Sequence, residues 1–406
     1  MINMLKHHKV IPVMVFDGAR LPSKSGTEAG RRSKRKEALE QAQIHLQNHR
    51  YEQANECFRK AVDIKPSMAH QLILQLQKEG IEYVVAPYEA DAQLAHLART
   101  GYVSCVITED SDLVPFGTPK IFFKMDKYGH GTEMTLSNLT SMPGKDGLDF
   151  SRFTHDMVLR MCILSGCDYL DSLPGVGPKT AYKIIKDNRT IPKIMECLKK
   201  MGKFKKIDLA PSLSLEDQIQ CSPSLSGASL AVSASQETSL TEEEYRELFV
   251  RAELTFKHQR VFDILSQEMI SLTPPPSALT EEDITFCGPI KPRDIVIEIC
   301  TGMIDPMSHK PFVSSSNNMR QKASITPLNT NKIDTYFKAT PAKPVFKTPF
   351  KNSQEPVSIL QFLFQHNQGI TSFRFFYSLH ASFFDKNPNF PFSTNTKDNH
   401  KQIFCI

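Results

Sequence analysis

Acidic residues follow three short apolar runs of this chain, and each of these runs predicts a β-strand. The acids are Asp17, then Glu89 and Asp91 in the run PYEADAQL, and Asp110 and Asp112 in the run ITEDSDL. Carboxylates held close together repel one another, and burying them without compensation is costly. A chain that gathers several of them at one edge of a sheet therefore suggests a binding site for divalent metal ions.

A sixth carboxylate, Asp168, lies at a predicted helix end in the run GCDYL and is expected to join this group. Ligands that are all oxygen atoms, without His or Cys, select hard cations such as Mg²⁺ or Mn²⁺. Two such ions about 4 Å apart would clamp the attacking and leaving oxygens of a phosphodiester displacement. The alternative is that the acids are solvated loop residues or helix N-caps, as Asp91 could be. Their coincidence at three strand ends favours the metal site.

The elements that must position these acids alternate between strand and helix. Predicted strands cover 10–16, 83–86, 104–108 and 121–125, and a predicted helix covers 91–99. A long helical region is predicted over 36–78, with breaks near 48 and 66, and helical patterns return over 241–269 and, more weakly, up to 303. This alternation indicates an α/β fold with a mostly parallel sheet flanked by helices. Because such sheets bind ligands at the carboxyl ends of their strands, all six acids are expected at one edge.

A dense basic stretch follows the first predicted strand. Although the net charge of the 406-residue chain is only +5, this stretch contains Arg20, Lys24, Arg31, Arg32, Lys34, Arg35 and Lys36. Acidic metal ligands beside a basic stretch suggest a polyanionic substrate. Two other interpretations of the stretch are a solvated basic helix face and a nuclear-import signal within the run RRSKRK.

A Gly-x-Gly-Pro turn joins two predicted helices in the run LPGVGPKTA. Gly175 and Gly177 would let the backbone approach a phosphate closely, and the helix start after them would supply N–H donors. Lys179 would add a further phosphate contact. Such contacts position duplex DNA without reading its sequence. The alternative is a helix hairpin that needs glycine only for its tight turn.

Composition and cysteine spacing predict a soluble intracellular protein. An apolar fraction of 40% and a charged fraction of 23% are ordinary for a folded core. The nine cysteines show no CxxC pair and no zinc-type spacing, which suggests a reducing compartment. No signal peptide and no apolar run of bilayer length is visible, so no membrane partner is expected.

Six runs of the sequence occur in the order typical of one nuclease family. They are VFDG, LPSK, PYEADAQL, ITEDSDL, MCILSGCDYL and LPGVGPKTA, at 15–18, 21–24, 87–94, 107–113, 161–170 and 173–181. Together they resemble the flap endonuclease/XPG family of structure-specific 5′ nucleases, over roughly residues 1–303. The resemblance implies a PIN-like 5′ nuclease core with a helix–two-turn–helix DNA-binding element.

The resemblance also implies roles for individual residues. One metal ion would be held by Asp17, Glu89 and Asp91, and the other by Asp110, Asp112 and Asp168. The catalytic residues that contact the scissile phosphate, and would stabilise charge on its oxygens, are Lys24 and Arg31. The residues that would bind DNA elsewhere are Arg32, Gly175, Gly177 and Lys179.

By the same resemblance, the chain is expected to be a Mg²⁺-dependent 5′→3′ DNA exonuclease or 5′ flap endonuclease. It would use two Mg²⁺ or Mn²⁺ ions, with a monovalent cation at the helix–two-turn–helix. Expected partners are double-stranded DNA with 5′ ends, nicks or flaps, mismatch-repair proteins and a sliding clamp, in mismatch repair and recombination in the nucleus. The run at 333–337 resembles half of a clamp-binding box, with Thr330 replacing the usual Gln, and chance similarity is the alternative.

The expected organisation begins with a nuclease core over 1–206, which holds a basic gateway at 17–36 and the helix–two-turn–helix at 165–187. A flexible insertion follows at 207–240, then a C-terminal helical part of the nuclease domain at 241–305 and a disordered tail at 306–406.

One expectation concerns the start of the nuclease core. The family begins upstream with a first central strand, a further metal-site acid and a wedge that stacks on bent DNA, whereas MINMLKHHKV resembles the helix before the second strand. Because a missing central strand would leave two strand edges unpaired, the chain is expected to fold poorly and cleave weakly. The alternative function is therefore a catalytically impaired form that binds DNA or a protein partner. A tetratricopeptide pair at 49–66 is disfavoured, since such repeats need at least about three copies.

Overall fold

A computed structural model describes residues 1–139, 149–204, 240–312 and 403–405 of the chain. The helices are α1 (Ile2–His7), α2 (Ser25–Gln47), α3 (Tyr51–Ala61), α4 (Pro66–Lys78), α5 (Ala90–Arg99), α6 (His155–Ser165), α7 (Pro178–Asp187), α8 (Ile191–Lys200), α9 (Glu242–His258) and α10 (Arg293–Cys300). The strands are β1 (Ile11–Phe16), β2 (Glu82–Val85), β3 (Cys105–Thr108), β4 (Lys120–Phe123), β5 (Thr132–Thr135), β6 (Arg260–Asp263), β7 (Glu268–Ser271) and β8 (Ile403–Cys405). Within these ranges, no helix is long and apolar enough to cross a membrane.

A six-stranded sheet in the order β2-β1-β8-β3-β4-β5 organises the fold. All neighbouring strands from β2 to β4 pair in parallel, and the edge strand β5 is antiparallel to β4. Helices connect the parallel strands along the chain, which confirms the predicted α/β fold with a mostly parallel sheet.

The core covers both faces of this sheet, as parallel strands require. On one face, Val13, Val106 and Ile121 are fully buried together with residues 92–98 of α5 and most of α6. On the other face, Cys105 and Ile107 pack in a smaller cluster with Leu5 and Phe122. Alternate residues of β3 thus enter opposite clusters, as the two-residue period of a strand demands.

The basic stretch belongs to a helix that begins earlier than the sequence predicts. The helical region was expected from about residue 36, whereas α2 begins at Ser25 and includes Arg31 and Arg32. Arg, Lys, Glu and Ala are all strong helix formers, so the helix extends through the basic run despite its weak apolar period.

The chain after α9 forms a β-hairpin where the sequence predicts helix up to residue 269. A capping box between Thr241 and Glu244 starts α9, but the helix ends at His258 and β6 pairs with β7. The Asp263 side chain accepts the Ser266 N–H at 2.9 Å and closes the turn. A short apolar run such as Val261–Phe262 is compatible with either a strand or a helix. The spacing of apolar residues therefore led to the wrong prediction of a helix up to residue 269.

Strand β8 fills the centre of the sheet, although it lies within the range 306–406 that was predicted to be disordered. It pairs with both β1 and β3, whereas a missing central strand was expected to leave two strand edges unpaired. The predicted insertion up to residue 239 and the clamp-like run 333–337 lie outside the described residues.

Candidate metal centre

Parallel strands bring the predicted metal ligands to one edge of the sheet. Asp17 directly follows β1, Glu89 is the N-cap of α5 after β2, and Asp91 lies in the first turn of α5. Asp110 and Asp112 follow β3. Since β1, β2 and β3 are parallel, these acids share the carboxyl edge, where open α/β sheets bind their ligands.

Short local hydrogen bonds fix the loops that carry these acids. Asp17 Oδ1 accepts the Ala90 N–H at 2.8 Å, so this side chain stabilises the start of α5. Asp110 Oδ1 accepts the Asp112 N–H at 3.0 Å, and Thr108 Oγ1 accepts the Asp110 N–H at 3.0 Å. Asp91 lies in the first turn of α5, so it can also stabilise the start of this helix, as the alternative interpretation of Asp91 expected.

The carboxylate of Glu89 is bound on both oxygens. Lys24 Nζ forms an ion pair with Oε1, while Oε2 accepts hydrogen bonds from Tyr169 Oη at 2.5 Å and Gln259 Nε2 at 2.6 Å. The Glu89 side chain is only 9% exposed, so these partners replace water around a buried charge. Sequence reasoning missed both Tyr169 and Gln259. Tyr169 is adjacent to Asp168 in the GCDYL run, but no local signal points to Gln259.

Asp168 anchors the basic helix α2 to this edge. Its carboxylate forms ion pairs with Lys24 Nζ at 2.7 Å and Arg31 Nη2 at 2.9 Å, and its backbone carbonyl accepts the Thr27 hydroxyl at 2.6 Å. Lys24 therefore bridges Glu89 and Asp168, and the two predicted catalytic residues lie against the predicted metal ligands.

The edge carries more negative charge than its basic residues neutralise. Burial raises the pKa of Asp91 and of Asp112 well above the usual aspartate range, and the neighbouring Asp110 raises both further. Burial alone would also raise the pKa of Asp168, but Lys24 and Arg31 outweigh it and lower that pKa overall. Burial first and repulsion second disfavour the ionised forms of Asp91 and Asp112, and an additional cation would stabilise those forms.

The donor atoms fit a hard divalent cation, but the edge is not arranged around one. In the part of the chain that the structure describes, no group of three or more His, Cys, Asp and Glu side chains surrounds a ready-made metal position. Lys24 accounts for this at Glu89 and Asp168, because its ammonium already contacts both carboxylates. A metal ion that used these two ligands would have to displace Lys24.

The predicted helix–two-turn–helix forms a tight turn before α7. Gly175 adopts φ +74°, a left-handed conformation that favours glycine, and Gly177 is the N-cap of α7. Lys203 Nζ donates to the Pro174 carbonyl at 2.6 Å and supports the turn. Lys179 after the turn and Arg32 on α2 are exposed. The DNA-binding roles of these residues stay predictions.

Replacing Tyr169 with phenylalanine should destabilise the protein, because Glu89 would lose a buried hydrogen-bond donor. We expect the free energy of unfolding to fall by about 1–3 kcal/mol. Packing against Phe256, with ring centroids 4.8 Å apart, would be kept in the variant. Urea unfolding measures the change. Tyr128→Phe is the control, since that side chain is 51% exposed, and equal stabilities of the two variants would contradict the expectation.

Five of the six predicted metal ligands, all except Asp17, lie in a region that matches a protein-family model. Residues 80–168 match the family model described as XPG I-region, a stretch that contains β2, α5 and β3. Exonuclease 1 of Arabidopsis thaliana is 43% identical over 315 residues, covering 78% of this chain and 37% of the relative. Exonuclease 1 of Xenopus laevis is 34% identical over 310 residues, covering 76% and 38%. The chain thus spans less than two fifths of the length of these relatives.

A solved structure of the catalytic core of Rad2 in complex with DNA substrate is also similar. It is 23% identical and covers 50% of this chain and 57% of that chain, with a TM-score of 0.33.

Proposed function

Because the chain belongs to the flap endonuclease/XPG family and is similar to exonuclease 1 proteins, we propose that it is a Mg²⁺-dependent DNA nuclease acting at 5′ ends and 5′ flaps. One observation carries the proposal. Carboxylates at one sheet edge lie against Lys24, the N-cap residue of the basic helix α2, and against Arg31 within that helix. An edge that is negative where cations would bind and positive beside it suits the phosphate backbone of DNA.

We propose two groups of metal ligands at this edge. The first group is Asp17, Glu89 and Asp91, and the second is Asp110, Asp112 and Asp168. Two Mg²⁺ ions held there, or Mn²⁺ in their place, would supply an activated water and neutralise charge at the scissile phosphate. The oxygen-only donor set supports this assignment, as do the raised pKa values of Asp91 and Asp112, whose ionised forms a bound cation would stabilise.

Lys24 and Arg31 are proposed to stabilise the pentavalent transition state. Water oxygen attacks phosphorus as the bond to the leaving ester oxygen breaks, so negative charge grows on the non-bridging oxygens. Released from Glu89 and Asp168, the Lys24 ammonium would donate to those oxygens, and the Arg31 guanidinium, released from Asp168, would add further donors. Arg31 would do so with a planar array of donors that suits phosphate.

Duplex DNA is the proposed substrate. The turn before α7 would bind its backbone at a distance from the phosphate that reacts. Gly175, Gly177 and Lys179 would contact the backbone there, with a monovalent cation in the turn, and Arg32 would contact it from α2. The proposed setting is nuclear mismatch repair and recombination, with mismatch-repair proteins and a sliding clamp as partners.

The second candidate function is DNA or partner binding without cleavage. It is favoured by the Lys24 ion pairs, which occupy two of the proposed ligands. The two candidates share the same DNA-binding surface and differ in whether divalent metal displaces Lys24.

A cleavage assay decides between the two candidates. The purified chain is incubated with a duplex that has a recessed, labelled 5′ end, in Mg²⁺ or in EDTA, beside a matched duplex with a recessed 3′ end. We expect release of the 5′ label only in Mg²⁺ and only from the first duplex. Retention of DNA in a gel shift without cleavage would favour the binding-only function, and cleavage in EDTA would contradict the metal-dependent mechanism.

A further inference from the structure

Residues 403–405 form the strand that joins the two halves of the main sheet. β8 pairs in parallel with β1 through Ile11↔Ile403, Pro12↔Phe404 and Val13↔Cys405. It pairs with β3 through Cys105↔Phe404 and Val106↔Cys405. In the described sheet, β1 and β3 do not pair with each other, so a groove one strand wide lies between them.

The chemistry of the groove selects an apolar extended segment. Val13 and Val106 beside it belong to the large core cluster, whereas Cys105 belongs to the smaller cluster on the opposite face. The groove thus has apolar residues on both faces, which favours a segment of consecutive apolar residues over an alternating pattern. The run Ile-Phe-Cys of β8 meets that requirement.

The groove is longer than the segment that fills it. β1 continues through residues 14–16 and β3 through residues 107–108, past the last described pairing with β8. These unmatched lengths lead to Asp17 and to Asp110. Among the described residues, β8 connects the two halves of the sheet through backbone pairing. One half carries Asp17, Glu89 and Asp91, and the other carries Asp110.

We propose that the groove between β1 and β3 is a strand-accepting site and that residues 403–405 of the same chain occupy it, clamping the two halves of the acidic edge together. Backbone hydrogen bonds on both sides hold the segment, as in recognition by strand addition. The clamping of the acidic edge rests on the proposed nuclease function, whereas strand insertion does not.

Hydrogen–deuterium exchange of the full chain, without metal or DNA, tests the insertion. Phe404→Pro removes one N–H donor and fixes φ near −65°, which is incompatible with a central strand. We expect amide exchange in residues 11–16 and 105–108 to accelerate at least about tenfold, as local opening becomes easier. Phe384→Pro is the matched control in the same region of the chain, and the β6–β7 hairpin is the internal reference. Unchanged exchange in β1 and β3 would overturn the proposal.

A synthetic peptide covers the case in which Phe404→Pro fails to fold. We expect the peptide of residues 400–406, with Cys405→Ser to prevent oxidation, to restore protection of β1 and β3 in that variant, and the same peptide with Phe404→Pro to have no effect. Equal effects of the two peptides would overturn strand insertion.

Sedimentation of the parent chain should show a monomer, and a dimer with protected β1 and β3 would instead assign the groove to a second copy. Because these readouts need neither metal nor DNA, they are independent of cleavage.

Discussion

Replacing Asp112 with asparagine is expected to reduce Mg²⁺-dependent cleavage by about 10³-fold, a loss of about 4 kcal/mol of transition-state stabilisation. The substitution keeps the size of the side chain and removes one negative charge from the proposed second group of ligands. A neutral amide oxygen is a weaker ligand for Mg²⁺ than a carboxylate, and the position of the bound cation determines the charge that the reacting phosphate meets.

The same substitution should leave the metal-free protein at least as stable as the parent chain. Burial and the neighbouring carboxylates of Asp110 and Asp168 raise the pKa of Asp112, so the charge at this position is unfavourable without a cation. Removing it relieves repulsion. Thermal unfolding in EDTA, measured beside the cleavage rate, therefore separates a lost ligand from a misfolded protein.

Asp171→Asn is the matched control, because Asp171 is exposed and lies three residues beyond Asp168 without a proposed role. We expect its cleavage rate to stay within about twofold of the parent rate, since the effect of an exposed charge is small and screened. An Asp112→Asn rate within tenfold of the parent rate would remove Asp112 from the metal site.

Replacing Gly18 with alanine is expected to destabilise the protein by about 3 kcal/mol or more, the upper range for inserting atoms into a packed site. A Cβ at Gly18 would lie 1.8 Å from the Ala86 carbonyl oxygen and 2.9 Å from the Pro87 carbonyl carbon. The Gly18 N–H also donates to the Tyr88 carbonyl at 2.6 Å, so the two backbones approach each other directly. Neither partner is a side chain that can rotate away.

The Gly18→Ala substitution should also disturb the geometry of the acidic edge. Gly18 follows Asp17, and the opposing backbone leads into Glu89, so separating the two segments would move these proposed ligands apart. We expect urea unfolding to show the loss of stability and Mg²⁺-dependent cleavage to fall with it.

Gly30→Ala is the control for the loss at Gly18. A Cβ at Gly30 meets nothing within 4 Å, and this position lies inside α2. Alanine there should stabilise the helix by up to about 1 kcal/mol. Equal stabilities of the two alanine variants would contradict the close-approach explanation.

The sequence predicted the sheet and the acidic edge because both depend on local signals. Apolar runs followed by acids are visible in one dimension, and parallel pairing then places their carboxyl ends together, as at Asp17 and Asp110. The position of Lys24 between Glu89 and Asp168 was not predicted, because three separate segments of the chain meet there. The contact from Gln259 to Glu89 spans a sequence separation of 170 residues and has no local signature.

Two errors have different physical causes. The hairpin β6–β7 was assigned to a helix because its apolar residues are few and their spacing suits either structure. Two strand edges were expected to be unpaired because the family's first central strand is missing, whereas residues 403–405 pair with both β1 and β3. Long-range strand pairing depends on complementarity between distant segments, which a single sequence does not display.

Lys24 forms ion pairs with both Glu89 and Asp168, so any cation that binds these two carboxylates must compete with its ammonium group. A tethered ammonium carries one positive charge and loses little translational freedom when it binds, so a free monovalent ion of equal charge gains nothing by replacing it. A divalent ion carries twice the charge, so its stronger attraction to the two carboxylates would favour displacement of the ammonium. If the proposed metal site is correct, Lys24 would therefore select divalent over monovalent ions, and its displaced ammonium would be available to the substrate phosphate.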